Sequence, residues 1–596
     1  MAHLLTNSPI GLIGRWLSGG RLLPPTEQQP GFKLPPPYRL AATRTVLPVG
    51  SSSLTGSERD EEGGLEAREK KNHVRNESRS GGSSEAHFTT DQQPQQQQQQ
   101  QQEQEKPADE PAPEPATRPP WNEPQITAEG AIQVGWYSST DPDNPQNWSF
   151  GAKLLVYLEV NLITFMVYMS VAIFSAAEGE FRTVFGVSRS VTELGMSLYV
   201  LGYGTGPMIW SPLSEIPSVG RNPPYVVSVT IFLLLSIPTA LVNNVPGFLI
   251  LRFLQGFFGS PGLATGGASI ADVTGLTNLP YGLYVWAVCS IAGPAVAPVI
   301  AGFSVPVKGW HWSMWEVLWA AGGCFVFLLF LPETSGPAIL HLRAKRLRAL
   351  TGNPAFQSQS EIAVRDARPT QIVYDALVIP WKINALDPAI LFTTVYIGLV
   401  YAIFYSYFEV LPRVYITMHA MTLGQLGLIF LGAIVGTLLV LPGYFAFTHW
   451  SLNADFRRGV WPRPEKRLVP ALCGSVLVPV GLFLFAWTAR PDIHWLVPTV
   501  GLVLEVAGMS LVIQCVFSYV AVAYLRYSAS LFAINDLARA YLAFAAIMWS
   551  DPLYDRLGVA RGTTLLAGLT VGCVGGMFTL YWLGPALRKR SRFASD

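Results

Sequence analysis

The chain has 596 residues, of which 49% are hydrophobic and only 14% are charged, and its formal net charge is +1. Soluble domains carry about 25% charged residues, so these values exclude an ordinary soluble protein. A nearly neutral net charge gives no indication of nucleic-acid binding. The five cysteines show no Cys-x-x-Cys spacing, which argues against a disulfide framework or a zinc site, and we expect neither metal nor cofactor.

Residues 1–145 are predicted to form a disordered cytoplasmic segment. Ser, Gly, Glu and Pro dominate it, and Gln95 to Gln102 form an unbroken glutamine run. Such a composition buries too little apolar surface to offset the entropy of ordering. One stretch differs: residues 10–23, IGLIGRWLSGGRLL, are apolar and basic. They predict a short amphipathic helix on the inner membrane surface, with disorder as the alternative.

From Lys153 onward the chain consists of hydrophobic runs separated by short breaks. We count twelve and number them run 1 to run 12: 153–177, 191–213, 224–243, 246–271, 281–303, 313–331, 387–411, 424–447, 468–488, 494–517, 528–550 and 562–584. Most have the roughly 20 residues that a membrane span needs. The runs fall into two sets of six, which predicts an all-α membrane protein with two six-helix halves, as in transporters built from repeats. The halves are residues 150–332 and 387–585, with a central loop at 333–386 and a basic tail at 586–596.

Basic residues predict the orientation of these runs. They concentrate in the central loop, in the break after run 8 and in the tail, whereas the opposite loops carry at most two each. Cytoplasmic loops are enriched in Lys and Arg, so both termini are predicted to be cytoplasmic.

Several ionisable residues lie inside apolar runs, among them Glu159 in run 1, Arg252 in run 4 and Glu505 in run 10. An ionisable group within a span is costly, and it usually marks a proton or substrate pathway. Two alternatives remain open. Either glutamate could be a protonated, hydrogen-bonded core residue, and the arginine could extend to the membrane interface.

Several phrases of the sequence occur in an order typical of one family. They are DPDNPQNWS before run 1, SPLSEIPSVGRNPPY after run 2, and LRFLQGFFGSPGLATGGASIAD in run 4. Over about residues 135–585 the chain resembles a fungal major facilitator superfamily transporter of the drug:proton antiporter family with twelve spans. Within that family it is most similar to the benomyl, fluconazole and caffeine resistance group. The resemblance implies the superfamily fold and export driven by protons.

The resemblance also assigns three motifs. A gating motif lies between runs 2 and 3, a proton-coupling motif lies in run 4, and an antiporter motif lies in run 5. Their residues are Gly206, Pro207, Ser214, Glu215, Gly220 and Arg221; Arg252 and Gln255; and Gly293, Pro294, Pro298 and Gly302. Glu215 replaces the usual aspartate, and we expect it to pair with a positive group or a helix N-terminus; the alternative is a plain turn. In run 5, glycine and proline would allow close helix approach and a bend.

The second half supplies the remaining candidates. Asp536 and Arg539 resemble a family pattern in run 11, and their spacing of three predicts an internal pair. Glu409 lies near the end of run 7, where it could instead be exposed at the interface. The predicted substrate cavity is lined by aromatic and amide side chains that would stack on planar or cationic compounds, with simple packing as the alternative. These are Tyr401, Tyr405, Phe408 and Asn535.

These features predict a proton-coupled antiporter that exports amphipathic drugs, fungicides or toxins across the plasma membrane. Its partners would be the bilayer, a small amphipathic organic substrate and protons, and it would act as a monomer. A dedicated exporter of an endogenous secondary metabolite is the alternative; an importer or a non-transporting receptor fits less well. The sequence has no GxxxxGK[ST] motif for ATP and no catalytic histidine cluster, so neither an ATP-driven pump nor an enzyme is expected.

Overall fold

The computed structural model describes residues 6–18, 22–29, 31–46, 121–275, 277–365, 369–524 and 528–594. The glutamine run and most of the predicted disordered segment lie outside these residues. Within them, the chain is helical apart from two short strands and the connecting turns.

The helices before the central loop begin with two short ones, α1 (Pro9–Leu17) and α2 (Pro36–Val46), which strand β1 (Ile132–Val134) follows. The N-terminal half then contains α3 (Phe150–Ala172), α4 (Glu178–Phe185), α5 (Arg189–Thr205), α6 (Pro207–Glu215), α7 (Asn222–Leu241), α8 (Val245–Gly259), α9 (Pro261–Ala264), α10 (Gly266–Val273), α11 (Leu279–Lys308) and α12 (Trp310–Leu328).

The central loop contains α13 (Gly336–Thr351), strand β2 (Phe356–Ser358), α14 (Gln359–Val364) and α15 (Pro369–Leu386). The C-terminal half contains α16 (Pro388–Leu411), α17 (Leu423–Phe430), α18 (Gly432–Phe447), α19 (Asn453–Arg457), α20 (Val469–Thr488), α21 (Leu496–Ala523) and α22 (Ser528–Arg590).

Each of the twelve predicted runs lies in helical structure, although not every run is one unbroken helix. Run 2 is divided between α5 and α6, and run 4 is divided among α8, α9 and α10. Runs 11 and 12 both lie in α22, where Gly558 leaves the helical conformation with φ 71° and ψ 169°. By length and composition, eight helical segments of the described chain are suited to cross a membrane.

The two halves contact each other along two seams where small residues bring backbones together. In the first seam, α11 meets α17: a Cβ added to Gly302 would lie 2.6 Å from the Leu423 carbonyl oxygen, and one added to Gly427 would lie 2.4 Å from the Pro298 carbonyl oxygen. In the second seam, α5 meets α22, and a Cβ on Gly204 would lie 2.3 Å from Ala540 Cβ. Any larger side chain at these positions would force the helices apart.

A separate small core joins the N-terminal segment to the central loop. Strands β1 and β2 pair in parallel, with Ile132 opposite Phe356. The core contains buried apolar side chains from both segments, listed as Tyr38, Ala41, Ile132, Val134, Tyr137, Ala344, Leu347 and Phe356. We call this assembly the tail–loop module. Residues 121–145 are therefore ordered, which differs from the prediction of disorder. Their apolar side chains pack against the central loop.

The predicted helix near the N-terminus is present as α1. The backbone N–H of Ile10 donates a hydrogen bond to the carbonyl of Leu329, just beyond α12, at 3.0 Å. Ile13 and Trp16 are exposed. The location of α1 on a membrane surface stays a prediction.

Candidate functional site

Three tyrosines meet at the centre of the interface between the halves. Tyr203 belongs to α5, and its hydroxyl lies 2.8 Å from that of Tyr401 and 3.2 Å from that of Tyr405, both on α16. All three side chains are buried. Because a buried hydroxyl without a partner is costly, this network favours the closed contact between the halves at this level.

A buried ion pair adjoins the tyrosines. Arg539 Nη2 lies 2.8 Å from Asp536 Oδ1, as the spacing of three residues predicts. The same nitrogen lies 3.3 Å from the Tyr168 hydroxyl on α3, and the guanidinium lies 5.0 Å from the Tyr401 ring centroid. The pair on α22 is therefore in contact with the N-terminal half. Asn535 is also buried there.

The central cavity between these groups is small. It has a volume of about 40 Å³ and is lined by residues that include Tyr168, Tyr401, Phe404, Ser510 and Arg539. Sites for drug-sized ligands have volumes of about 300–1,000 Å³. The structure is thus occluded at its centre, and a substrate of that size requires the halves to separate.

A second charged cluster joins the halves at the helix ends near Arg189, which we call the Arg189 end. Arg189 begins α5 and contacts Glu193 of its own helix at 3.2 Å, Glu409 of α16 at 2.6 Å and Asp551 of α22 at 2.8 Å. Arg413 also pairs with Asp551, and with Asp555 at 2.5 Å. Glu409 is buried rather than exposed, so the alternative of interface exposure is wrong.

The carboxylates of Glu193, Glu409 and Asp551 lie close enough to one another to resemble a metal site. The arginine contacts already explain their approach, because each of the three pairs with Arg189. We therefore describe the group as an ion-pair cluster.

A larger cavity of about 380 Å³ opens beside this cluster. Its lining includes Glu178, Arg189, Phe408, Glu409 and Phe430. The Phe408 and Phe430 rings are stacked, with centroids 4.8 Å apart. The predicted aromatic cavity is therefore divided: Tyr401 and Tyr405 belong to the centre, and Phe408 belongs to the Arg189 end.

Arg252 is completely buried on α8, but its contacts differ from those expected. It donates to the carbonyl oxygens of Gly195 at 2.9 Å and Val171 at 3.2 Å, and its guanidinium lies 4.5 Å from the Tyr199 ring centroid. No carboxylate of the described chain lies within 4.0 Å of it. Gln255 donates to the Ser236 hydroxyl at 3.0 Å. Arg252 therefore joins α8 to α3 and α5 without a direct ion pair.

The other two buried carboxyl groups lie within the halves. Glu159 on α3 and Glu505 on α21 are 2% and 0% exposed, and neither has a hydrogen-bond partner among the described residues. Neither lines the central cavity. The structure does not bring them together with Asp536 or Arg539.

The gating motif forms a compact ionic turn that contains the predicted residues Ser214 and Arg221, but the acids that contact it, Asp272 and Glu333, were not predicted. Arg221 pairs with Asp272 at 3.2 Å and donates to the Ser214 hydroxyl at 3.0 Å. Glu333 accepts from the backbone N–H groups of Arg221 and Asn222 at 2.9 and 3.0 Å.

Glu215 is exposed and forms no salt bridge with any described residue, which differs from its expected pairing. The motif's first glycine, Gly206, packs against Ser260 of run 4, directly after α8: an added Cβ would lie 2.0 Å from the Ser260 hydroxyl oxygen. Pro207 begins α6 at its first position, where a missing N–H costs nothing.

The run 5 motif lies in the continuous helix α11, which contains Pro294 and Pro298 in its interior. A Cβ on Gly293 would lie 2.7 Å from the Phe165 carbonyl oxygen of α3. Together with Gly302 at the seam, this glycine gives α11 close contact with both halves. The close helix approach that was predicted for these glycines is therefore observed, and a role of the motif in antiport stays a prediction.

Sequence reasoning missed Arg189, Glu193, Arg413 and Asp551, as well as Tyr168 and Tyr203. The charges lie at the edges of the runs, where solvated residues are common. The spacing of four between Arg189 and Glu193 was the available local signal.

Two helical halves that meet at buried ion pairs, with an occluded cavity between them, define a secondary membrane transporter. The family model described as Major Facilitator Superfamily matches residues 160–546. The chain belongs to this superfamily, so the predicted fold and the prediction of a transporter rather than an enzyme are confirmed.

Known proteins agree with this assignment. The chain is 89% identical, over the full length of both, to the MFS-type transporter pyvG of Aspergillus violaceofuscus. It is 40% identical to the Multidrug transporter FLR2 of Candida glabrata, over 78% of this chain and 79% of that protein. The proton:xylose symporter XylE has a similar fold, with a TM-score of 0.54 and 13% identity over 73% of this chain and 97% of XylE. The resemblance to fungal drug-resistance transporters is thereby confirmed.

Proposed function

We propose that this chain is a proton-coupled exporter of amphipathic organic compounds. It would act as a monomer in the plasma membrane, with both termini in the cytoplasm. The similarity to a multidrug transporter supports the substrate class. The enrichment of Lys and Arg in the central loop and the tail supports the orientation. In this orientation the Arg189 end faces outward, and the opposite end of the helices, which contains Arg221, faces the cytoplasm.

The observation that carries the proposal is the buried Asp536–Arg539 pair at the contact between the halves. Protonation of Asp536 would remove its attraction for Arg539 and leave the arginine to its contacts with Tyr168 and Tyr401. A cationic or polarised substrate would instead favour the ionised carboxylate. Proton and substrate would therefore disfavour each other, which is the coupling that exchange requires.

The proton gradient supplies enough free energy for export. One pH unit is worth about 1.4 kcal/mol, and 100 mV is worth about 2.3 kcal/mol per charge. Two pH units and 100 mV together give about 5 kcal/mol, which corresponds to roughly several-thousandfold accumulation for one proton per substrate molecule.

The test is efflux of a rhodamine dye from energised cells that lack their own pumps and express the full chain. Efflux should stop with a protonophore and in Asp536→Asn, at equal protein level. Glu316→Gln is the matched control, because Glu316 is a partly buried carboxylate on α12, which packs against helices of the N-terminal half. Efflux that persists with the protonophore would contradict proton coupling. Uptake, or no movement of any compound in a broad panel, would contradict drug export.

Arg252→Ala belongs in the same experiment. Arg252 holds α3, α5 and α8 together through carbonyl contacts. We therefore expect the substitution Arg252→Ala to reduce both efflux and protein level. Loss of efflux at normal protein level would instead favour the direct role in proton coupling that the family resemblance implies.

A further inference from the structure

We propose that the ion-pair cluster at the Arg189 end, which we call the Arg189 cluster, is an acid-sensitive lock that holds the outer ends of the two halves together and opens when its carboxylates are protonated. This inference rests on the proposed orientation, which places the cluster at the outer membrane face. Nothing in the family motifs includes Arg189, Glu193 or Asp551. The cluster is also distinct from the central Asp536–Arg539 pair.

The first argument is connectivity. Arg189 is a single side chain of the N-terminal half, and it contacts two carboxylates of the C-terminal half, Glu409 at 2.6 Å and Asp551 at 2.8 Å. These two belong to different helices, α16 and α22. Separation of the halves at this end must therefore break both contacts at once.

The second argument is the balance of charge. The ionisable groups that face the cluster come from every element packed around it. The acids are Glu178 of α4, Glu193 of α5, Glu409 of α16, and Asp551 and Asp555 of α22, and the bases are Arg189 and Arg413, with Arg252 of α8 acting on Glu178 from farther away. Glu180 and Arg182 of α4, one acid and one base, line the adjoining cavity. Acids outnumber the two arginines that pair with them. Repulsion among buried carboxylates favours the uptake of a proton.

The third argument concerns the access of protons to the cluster and a carboxylate oxygen that lacks a hydrogen-bond partner. Glu178 and Glu409 line the 380 Å³ cavity beside the cluster. Glu193 is 1% exposed, and its Oε2 has no hydrogen-bond partner among the described residues. A proton on such an oxygen removes a costly unpaired acceptor. Each proton bound at Glu409 or Asp551 also weakens an ionic contact between the halves.

The direction of the effect follows from these contacts. While Glu409 and Asp551 are ionised, Arg189 holds both halves and the outer end stays closed. At lower external pH the inter-half contacts weaken and the outer end opens. The state that faces the proton-rich side is thereby favoured where protons are abundant.

The test measures the distance between the halves at this end in the full chain, reconstituted in lipid nanodiscs. Spin labels at Val184 and Asp492, which are both exposed, would report it by pulsed electron resonance. Between pH 7.5 and 5 we expect a shift toward longer distances. In Glu409→Gln the open population at pH 7.5 should rise about tenfold, the loss expected for one charged hydrogen bond, and the pH response should become smaller. Glu180→Gln is the matched control, since Glu180 lines the same cavity and forms no salt bridge among the described residues.

A wild-type distance that does not change with pH would overturn the lock, and so would a Glu409→Gln variant that behaves like Glu180→Gln. If Glu409→Gln fails to fold, Asp551→Asn removes the second contact and is read in the same way. Failure of the proposed function looks different: dye efflux would ignore the protonophore while the distance still responds to pH.

Discussion

Arg343 of α13 and Asp141 of the N-terminal segment form a two-contact ion pair across 202 positions of the chain. The distances are 2.7 Å from Nη1 to Oδ2 and 3.2 Å from Nη2 to Oδ1. The guanidinium also contacts Asp143 at 2.6 Å and Glu27 at 3.1 Å. Arg343 is fully buried, so three carboxylates of the N-terminal segment converge on one arginine of the central loop.

Arg343→Ala is expected to release the tail–loop module. Removing one partner of a buried ion pair leaves the others without compensation and costs about 3–5 kcal/mol. Hydrogen exchange at the amides of β1, measured by mass spectrometry, should become faster. Arg365→Ala is the matched control: its pair with Glu129 is exposed and worth about 0–1 kcal/mol. Equal exchange in both variants would contradict a central role for Arg343.

The same module should be sensitive to acid. Burial of Asp141 acts to raise its pKa, but its hydrogen bonds and the charge of Arg343 outweigh burial and lower it. A carboxylate with a lowered pKa contributes stability above its unfolded pKa of about 4, and that stability is lost as the pH falls through the folded value. Protection of the β1 amides, corrected for intrinsic exchange, should be constant from neutral pH to about pH 5 and then decrease. Protection that decreases already between pH 7 and 6 would point to another group.

Gly220→Ala is expected to damage the gating turn. Gly220 has φ +78°, and an added Cβ would lie 2.6 Å from Glu333 Oε2, which accepts from the Asn222 N–H. The substitution combines backbone strain with displacement of this carboxylate, at a cost of about 2–4 kcal/mol. Thermal unfolding in detergent should show a lower midpoint. Gly186→Ala tests strain alone, since Gly186 has φ +62° and no atom within 4 Å of an added Cβ. Equal shifts would mean that the Glu333 contact contributes nothing.

Gly302→Ala is expected to reduce transport by separating α11 from α17. The new Cβ would lie 2.6 Å from a backbone oxygen, which has no side-chain freedom to move away, and overpacking of this kind costs about 1–3 kcal/mol. The initial rate of dye efflux is the measurement. Gly322→Ala on α12 is the control, because nothing lies within 4 Å of its added Cβ. Normal efflux in Gly302→Ala would contradict the prediction that transport depends on the close contact between α11 and α17.

Sequence analysis predicted those features of the structure that depend on local sequence patterns. Apolar runs of span length located the helices, and a spacing of three placed Asp536 beside Arg539. It could not determine which distant charges meet. Glu409 pairs with Arg189, 220 positions away, and Arg221 pairs with Asp272 rather than engaging Glu215. Such partners depend on how the helices pack. The tail–loop module was missed for the same reason, because β1 and β2 lie far apart in the sequence and pair only when the N-terminal segment packs against the central loop.

The glycine seams have a consequence for how the halves move. At both seams backbone approaches backbone or a small side chain, but in the first seam the Phe303 ring of α11 also packs against Gly424 of α17. Sliding at the contact between Gly204 and Ala540 therefore moves only small groups, whereas sliding at the first seam also requires the Phe303 ring to move. The polar contacts that join the halves and must break when they separate are those of Arg189, Arg539 and the Tyr203 hydroxyl. A transporter built in this way can have its cycle retuned by single charge substitutions while its helix packing remains the same.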